Sequence, residues 1–398
     1  MKIIADLHIH SRFSRACSSR ITTSNLVNSA AEKGINLIST GDFLHKQWLN
    51  ELKQTLEPDG ETGLFMLKNS SAEQRFVLGT EIATFFWQNR RSKRIHTCVM
   101  IKNMENVELL RERLSKFGSL DADGRPILSM SAAELVEIVL SIEKDAFIFP
   151  AHVWTPYFGA LGEMSGFNSI KEAYEDMEKN IYAIETGLSS DPKMNWMISQ
   201  LDKYALVSNS DAHSVEKLGR EANIFNTNEF TYNEIFQAIK NKDKTKFNST
   251  IEFYPEEGKY HFDGHRQCNF SLEPGKNTSK ICPVCNKPII IGVMHRVIEL
   301  ADRPAGFVPK TAIPFVHQIP LKEIISFVLN KGVNTQSVEK KYIEFIKVFG
   351  TEFAVFNADY ENINRLDSKI AEAILNIRED KIKIIPGYDG VFGKLELL

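Results

Sequence analysis

The sequence predicts an α/β protein: strands and helices alternate into a β/α barrel of about seven strands over residues 1–240. A small metal-stapled module follows at 255–305 and a helical domain at 306–398. Three observations carry this. Short β-branched runs alternate with amphipathic segments as far as about residue 230; three cysteines cluster between 268 and 285; and beyond Pro314 the apolar spacing is helical throughout.

The strand candidates are 2–8, 35–42, 75–83, 94–101, 146–153, 181–187 and 204–213. Segments 24–34, 105–118, 131–142, 169–179 and 192–201 repeat their apolar residues at three and four, the period of a helix lying on a sheet. Alternation of this kind predicts parallel strands joined by right-handed crossovers, and seven of them suit a closed barrel better than an open sheet. The polar stretch KNKDKTKFNST then marks a boundary. Residues 255–300 show little helical or strand length, as expected of a module held by metal. Runs 320–332, 337–350 and 367–380 are amphipathic helices, and the chain closes in a turn-rich GYDGVFG segment.

Composition is that of an ordinary globular protein, with 43% hydrophobic and 25% charged residues. No apolar run approaches the roughly 20 residues of a membrane span. The N-terminal MKIIADLHIHS enters a strand at once, so a cytoplasmic protein without a signal peptide is expected. Five cysteines are too few for a disulfide framework; Cys17 and Cys98 read as small buried residues. Residues 240–348 hold 17 Lys+Arg against 11 Asp+Glu, a net of +6, whereas the remainder holds 31 against 40. A mildly basic segment fits a polyanion partner.

Imidazole and carboxylate are the side chains that bind divalent metals at neutral pH. They recur here at the strand ends: His8 and His10, which share a side at period two, then Asp42, Glu81, His96, His152, Glu185, and Asp211 with His213. So many ligands exceed the needs of one ion. Two or three ions bridged by a carboxylate are expected, the arrangement that stabilises both attacking and leaving oxygens in phosphoryl displacement.

The ordered set HIH, STGD, GTE, IH, AH and SDAH resembles the PHP family (polymerase and histidinol phosphatase) over about residues 1–230. The resemblance implies a distorted (βα)7 PHP barrel holding up to three metals. It implies that His8, His10, Glu81 and Asp211 hold one ion, that Glu81, His96 and His152 hold the second, and that Asp42 and His213 hold the third. Glu81, Asp211 and His213 are its catalytic positions. The chain departs from the family in lacking a histidine in SRFSRACSSR and in carrying Asp42 where many members have histidine, which puts the third site in question; His45 lies nearby.

His265-x-x-Cys268, thirteen intervening residues, then Cys282-x-x-Cys285 is zinc-finger spacing. The three cysteines need a fourth ligand, best supplied by His265, with His261 and His295 as alternatives. A PHP barrel followed by KYHFDGHRQC, the CPVC knuckle and GVMHRVIELADRP resembles the endonuclease Q family of DNA-repair enzymes over essentially the whole chain. This implies hydrolysis of the phosphodiester bond 5′ to deaminated bases (hypoxanthine, uracil, xanthine) or abasic sites in double- or single-stranded DNA. It also implies Mg²⁺ or Mn²⁺ for catalysis, with Zn²⁺ in the knuckle and also in the barrel.

The residues independently suit a nucleic-acid partner. Arg90, Arg91 and Arg94 lie between two strand candidates, and Arg12 and Arg15 follow the first ligand pair, placed to meet phosphates. Trp154 and Tyr157 are candidates for the walls of a pocket that accepts an extruded base. Two other readings share the metal site: a small-molecule phosphatase acting on esters such as histidinol phosphate, and an inactive DNA-binding scaffold. The first leaves the zinc module and rim arginines without a task; the second leaves the full ligand set unexplained.

Overall fold

A computed structural model describes residues 1–275 and 279–397. The chain begins β1 (Lys2–Asp6), α1 (Thr23–Lys33), β2 (Leu37–Ser39), α2 (Lys46–Thr55), β3 (Leu56–Pro58), β4 (Phe65–Leu67), β5 (Arg75–Gln88) and β6 (Arg91–Ile101). It continues α3 (Met104–Leu114), β7 (Ile127–Leu128), α4 (Ala132–Ile142), β8 (Phe147–Pro150), α5 (Ile170–Tyr174), β9 (Ala183–Glu185), α6 (Pro192–Asn195) and β10 (Ala205–Val207). Then come β11 (Ala222–Asn226), α7 (Tyr232–Lys240) and β12 (Phe247–Glu252).

Local chemistry explains the helices that frame the site. α1 starts where the Thr22 hydroxyl accepts the Asn25 N–H and stops at Gly34, whose φ of 88° only glycine adopts cheaply. α4 opens on a capping box between Ser131 and Glu134. Both lay apolar stripes on the sheet.

Each of the seven strand candidates contains a strand, but the sheet is mixed rather than parallel. β1, β2 and β5 are parallel neighbours. β5 and β6 instead form a long antiparallel hairpin of eleven residue pairs, from Leu78↔Ile101 to Gln88↔Arg91. The cause is a two-residue turn: Asn89 and Arg90 both take left-handed φ, 51° and 62°, the backbone twist that folds one strand directly onto the next. β8 then pairs antiparallel with β6, and β11 antiparallel with β1. β9 and β10 form a separate parallel pair. Val153 N–H to Glu185 O (3.1 Å) joins its one side, and His10 N–H to Ala212 O (3.0 Å) ties the chain after β10 to the end of β1.

Two segments expected as helices are only partly so. α5 gives way to a 3₁₀ turn over Glu175–Asn180, and α6 lasts four residues. Residues 255–305 supply a small hairpin, β13 (Asp263–His265) with β14 (Phe270–Leu272), and an unanticipated helix α8 (Val293–Leu300).

The C-terminal region is helical but not purely so. β15 (Phe315–His317) extends the main sheet alongside β12. α9 (Leu321–Leu329), α10 (Gln336–Phe349), α11 (Glu352–Asn357), α12 (Tyr360–Leu366) and α13 (Ser368–Arg378) share a core around Leu321, Tyr342, Phe345 and Ile370. A last hairpin, β16 (Ile382–Ile385) with β17 (Lys394–Leu397), carries GYDGVFG as its turn. That turn returns to the cysteine module: Tyr388 Oη donates to Asn269 Oδ1 (2.8 Å) and Arg266 N–H to Asp389 Oδ2 (2.7 Å).

Candidate metal centre

β1 ends in Asp6, a buried carboxylate that serves as a clamp. It accepts the Ser210 N–H (3.0 Å), the Ser210 hydroxyl (2.5 Å) and the Gly219 N–H (2.9 Å), tying the end of β1 to the loop that bears Asp211. Just beyond, His8 and His10 point to the same side. Glu185 holds His8 Nδ1 with both oxygens at 3.0 Å, and Asp42 Oδ1 holds His10 Nδ1 at 3.0 Å. A carboxylate on Nδ1 fixes the ring and its tautomer and presents Nε2 to the centre.

Three buried polar atoms converge there without a hydrogen bond: His8 Nε2, His10 Nε2 and Asp211 Oδ1. Beside them Glu81 divides its oxygens. Oε2 lies 3.3 Å from His10 Nε2 and 3.7 Å from His8 Nε2. Oε1 lies 2.7 Å from His96 Nδ1 and 3.0 Å from His152 Nε2. His8, His10 and Asp211 thus form one group able to hold a metal ion, Glu81, His96 and His152 a second, and Glu81 touches both. Unpartnered imidazole and carboxylate atoms aimed at one point fit divalent cations, so the residues present suit the implied metals.

The backbone is bent to make this fit. Asp42, His152 and Asp211, each just past a strand end, take φ of 46°, 28° and 47°, a region costly for non-glycine residues and tolerated where the surroundings hold it.

Burial alone would raise the Glu81 carboxyl, but the charges of His96, Arg125 and His8 hold it well below the usual range. Burial would raise Asp211 too, but the adjoining imidazoles of His10 and His8 bring it down. Burial would lower His8 and His10, yet Cys98, Glu185 and Glu81 around the first, and Asp42, Asp211 and Glu81 around the second, push both well above the ordinary value. His96 goes down to about 4, burial outweighing Glu81.

The remaining sequence candidates fall unevenly. Asp42 joins no ligand group among the described residues: Oδ1 faces His10, while Oδ2 accepts the Ser11 N–H (2.6 Å) and the Ser14 hydroxyl (2.8 Å). His213 lies at the mouth, with Nδ1 2.8 Å from the Asp211 carbonyl and its ring 4.7 Å from that of His10. His45 stacks on Phe13 at 4.4 Å and joins no group. Cys98 is buried beside the centre, its thiol pushed up to about 12 by desolvation.

Sequence reasoning missed one participant and put another in the wrong role. Glu185 was a strand-end candidate, but as the holder of His8 it acts one layer back. Arg125, in a loop with no strand or helix signal, puts Nη1 3.1 Å from Glu81 Oε2. The Gly124-Arg125 pair was the available clue: a Cβ on Gly124 would lie 2.4 Å from both Asp42 Oδ2 and Ser14 Oγ, so only glycine brings this loop to the centre.

In the cysteine module, His265, Cys268, Cys282 and Cys285 offer ligand atoms within 4.8 Å of one another, a donor set suited to tetrahedral Zn²⁺. Burial would raise the Cys282 thiol, but the Cys285 and Val284 N–H groups bring it down to about 6. Neither rival histidine is in the group. His295 Nδ1 is bonded to Asp263 Oδ2 (2.6 Å), and His261 is buried against Phe262.

The nucleic-acid candidates divide. Arg15, Arg90, Arg91 and Arg94 are exposed. Arg12 is committed to Glu51 as a two-pronged ion pair and lies over Phe13 and Trp48, so it is not free for phosphate. Trp154 does not line a surface pocket: it is fully buried, its indole N–H donating to Asn195 Oδ1 at 2.8 Å, because the residues after β8 turn inward. Tyr157 is exposed, edge-on to Tyr260 at 6.0 Å. Among the described residues, no helix is long and apolar enough to cross a membrane.

Comparison with known proteins places this geometry. A PHP-associated family model matches residues 202–243 and the model of the MJ0043 C-terminal domain matches 320–381. The MJ0043 protein of Methanocaldococcus jannaschii is 38% identical over 241 residues, 58% of this chain; the match spans only 30% of that longer protein. YqxK of Bacillus subtilis is 28% identical over 99% of both chains. The crystal structure of the lesion-specific endonuclease PfuEndoQ of Pyrococcus furiosus superposes with a TM-score of 0.89 at 33% identity, covering 100% of this chain and 96% of the other. An endonuclease Q complex with a 27-mer duplex bearing an abasic lesion at the active site gives 0.88 at 32% identity, covering 100% and 97%.

Proposed function

This chain belongs to the endonuclease Q family, and from that premise we propose that it is a metal-dependent DNA-repair endonuclease that cuts 5′ to deaminated bases and abasic sites. The observation that carries the reading is Glu81, whose two oxygens serve two ligand groups at once. Full-length likeness to a lesion-specific nuclease favours DNA over a small ester as the substrate. On this reading the strands around the centre act as a distorted seven-stranded PHP barrel, residues 255–305 as the zinc domain and 306–398 as the C-terminal domain.

His8, His10, Glu81 and Asp211 would hold one ion and Glu81, His96 and His152 the other, Mg²⁺ or Mn²⁺ during turnover, with Zn²⁺ on His265, Cys268, Cys282 and Cys285. When bound, such ions supply water activation and neutralise charge on the phosphoryl group. The protein's own contribution is positional. Glu185 and Asp42 keep two imidazoles aimed, and the Asp6 clamp sets Asp211. Arg125, partly exposed at the mouth, offers its guanidinium to a non-bridging phosphate oxygen as charge develops. His213, beside Asp211 and open to solvent, is placed to orient water or to carry a proton to the departing 3′-oxygen. No protein nucleophile is required, and the products are 3′-hydroxyl and 5′-phosphate ends.

The test uses labelled duplexes carrying uracil, hypoxanthine, xanthine or an abasic site, incubated with Mg²⁺ or Mn²⁺ and mapped at nucleotide resolution. Extrusion works against pairing and stacking, so abasic and mispaired sites are expected to be cut at least about ten to a hundred times faster than intact duplex, immediately 5′ of the lesion. Equal cleavage of damaged and undamaged DNA, or faster hydrolysis of histidinol phosphate than of any oligonucleotide, would overturn the proposal.

A further inference from the structure

The β5–β6 hairpin is longer than the metal centre needs. Its two faces follow from the pairing register. Glu81 shares one face with Ala83, Phe85 and Trp87 on β5, and with His96, Arg94 and Ser92 opposite on β6. The other face is anchored: Phe86 stacks on Phe167, Lys93 donates to the Ser165 carbonyl, and Gln88 reaches Glu175. The face that begins at the metal ligands is covered there by Phe158, which packs on His96, and is free farther out, at Arg94, Ser92 and Trp87. Along β6 the alternation is plain, with Ser92 and Arg94 exposed and Lys93 and Ile95 buried.

At the far end of that face Trp87 is 71% exposed, an indole at the tip of an anchored arm. Arg90 sits in the turn beside it, and Arg94 lies over the Phe85 and Phe158 rings at 5.2 and 5.8 Å. Residues 84–97 contain four Lys or Arg and no Asp or Glu. Trp87 lies six residue steps along the strand from Glu81, a span of about 20 Å, or roughly six base pairs of duplex.

We propose that this hairpin is a DNA-measuring arm. The duplex flank runs along the free face, Arg94 meets a phosphate near the scissile bond, and Trp87 with Arg90 grips the flank about six base pairs away. The proposal rests on the endonuclease reading for its occupant. Four basic residues with no Asp or Glu in the segment itself, the neighbouring Glu172 and Glu175 lying on the anchored face, and continuity with the metal ligands favour DNA over a protein partner.

The experiment measures binding by fluorescence anisotropy, without added Mg²⁺ or Mn²⁺, to abasic duplexes whose flanks on each side are 12 or 4 base pairs. Wild type, Trp87→Ala and Trp87→Phe are compared, with cleavage by wild type followed in parallel. Trp87→Ala is expected to bind the long duplex about tenfold more weakly, and Trp87→Phe to recover most of the loss, because a second aromatic ring restores the apolar contact with the sugar–phosphate edge of the flank. Shortening the flank under the arm should abolish the difference between wild type and Trp87→Ala, whereas shortening the other flank should not. Equal affinity of Trp87→Ala and wild type for the long duplex, or a loss independent of flank length, would overturn the arm. An arm-dependent affinity in a protein that cuts no lesion would sink the endonuclease reading and leave the arm standing.

Discussion

Two strand-end carboxylates, Asp42 and Glu185, look in sequence like Asp211, yet each backs a histidine at Nδ1 while Asp211 reaches the centre. The distinction is testable. Glu185→Gln keeps an oxygen near His8 but removes the charge that makes the imidazole basic, so Mn²⁺ affinity is expected to fall about 10–100-fold. Isothermal titration with Mn²⁺ checks this; an unchanged affinity would reduce Glu185 to a packing role. Asp211→Asn replaces the carboxylate proposed as a ligand by a neutral amide and should abolish cleavage while duplex binding stays near wild type, because no large core surface is lost. Turnover at the wild-type rate would defeat the assignment. Such roles are invisible to spacing, since period and strand position are the same for a ligand and for the residue that holds one.

At the scale of elements, the cysteine module is a short segment braced from both sides. α8 plants Arg296 against the loop of residues 161–167, donating to the Leu161 and Phe167 carbonyls at 3.2 and 3.0 Å, and the C-terminal GYDGVFG turn covers the opposite flank. Cys282→Ser is expected to lose tightly bound zinc and to loosen residues 260–290, while α8 stays docked through Arg296. Zinc stoichiometry by chelator release and hydrogen exchange would check it; full zinc retention would refute the knuckle. The β5–β6 hairpin shows why strand direction was not legible. Its turn is Asn-Arg, without the glycine that usually announces a two-residue hairpin, so the segment reads as a connecting loop. α8 was missed for a related reason: Gly292 precedes it with no side-chain cap.

For the whole molecule, the raised groups His8, His10 and Glu252 make metal-free stability fall with pH, opposed in part by His96 and His261, whose lowered values favour the folded state as pH rises. His8 and His10 have raised folded values, so their contribution is complete below the ordinary histidine value and is lost as pH rises through the folded values. Glu252 is pushed up to about 7 by burial, with Thr186 and Thr250 hydroxyls donating to it, so the folded state also loses ground as pH climbs from the ordinary glutamate value to about 7. Metal-free protein in chelator is therefore expected to melt at lower temperature at pH 8 than at pH 6. Added Mn²⁺ or Zn²⁺ should raise the melting temperature more at pH 8, since the ions displace protons from the same ligands. Glu252→Gln should flatten the metal-free profile without removing the metal effect. A melting temperature that rises with pH in chelator would contradict this account.

The sequence by itself determined the approximate places of seven strands, that metal-binding side chains follow them, that three cysteines share a site, and that the C-terminal region is mostly helical. These are local properties: apolar period, residue chemistry and short spacing survive without knowledge of neighbours. Only the tertiary structure decided that β5 and β6 are antiparallel, that Trp154 is core and Arg12 committed to Glu51, and that His265 rather than His261 or His295 faces the cysteines. It also brought Arg125, 44 residues beyond Glu81, into contact with it. Each of these depends on which groups meet across long stretches of chain. A buried polar atom takes whatever partner the fold brings near, and the sequence does not name that partner.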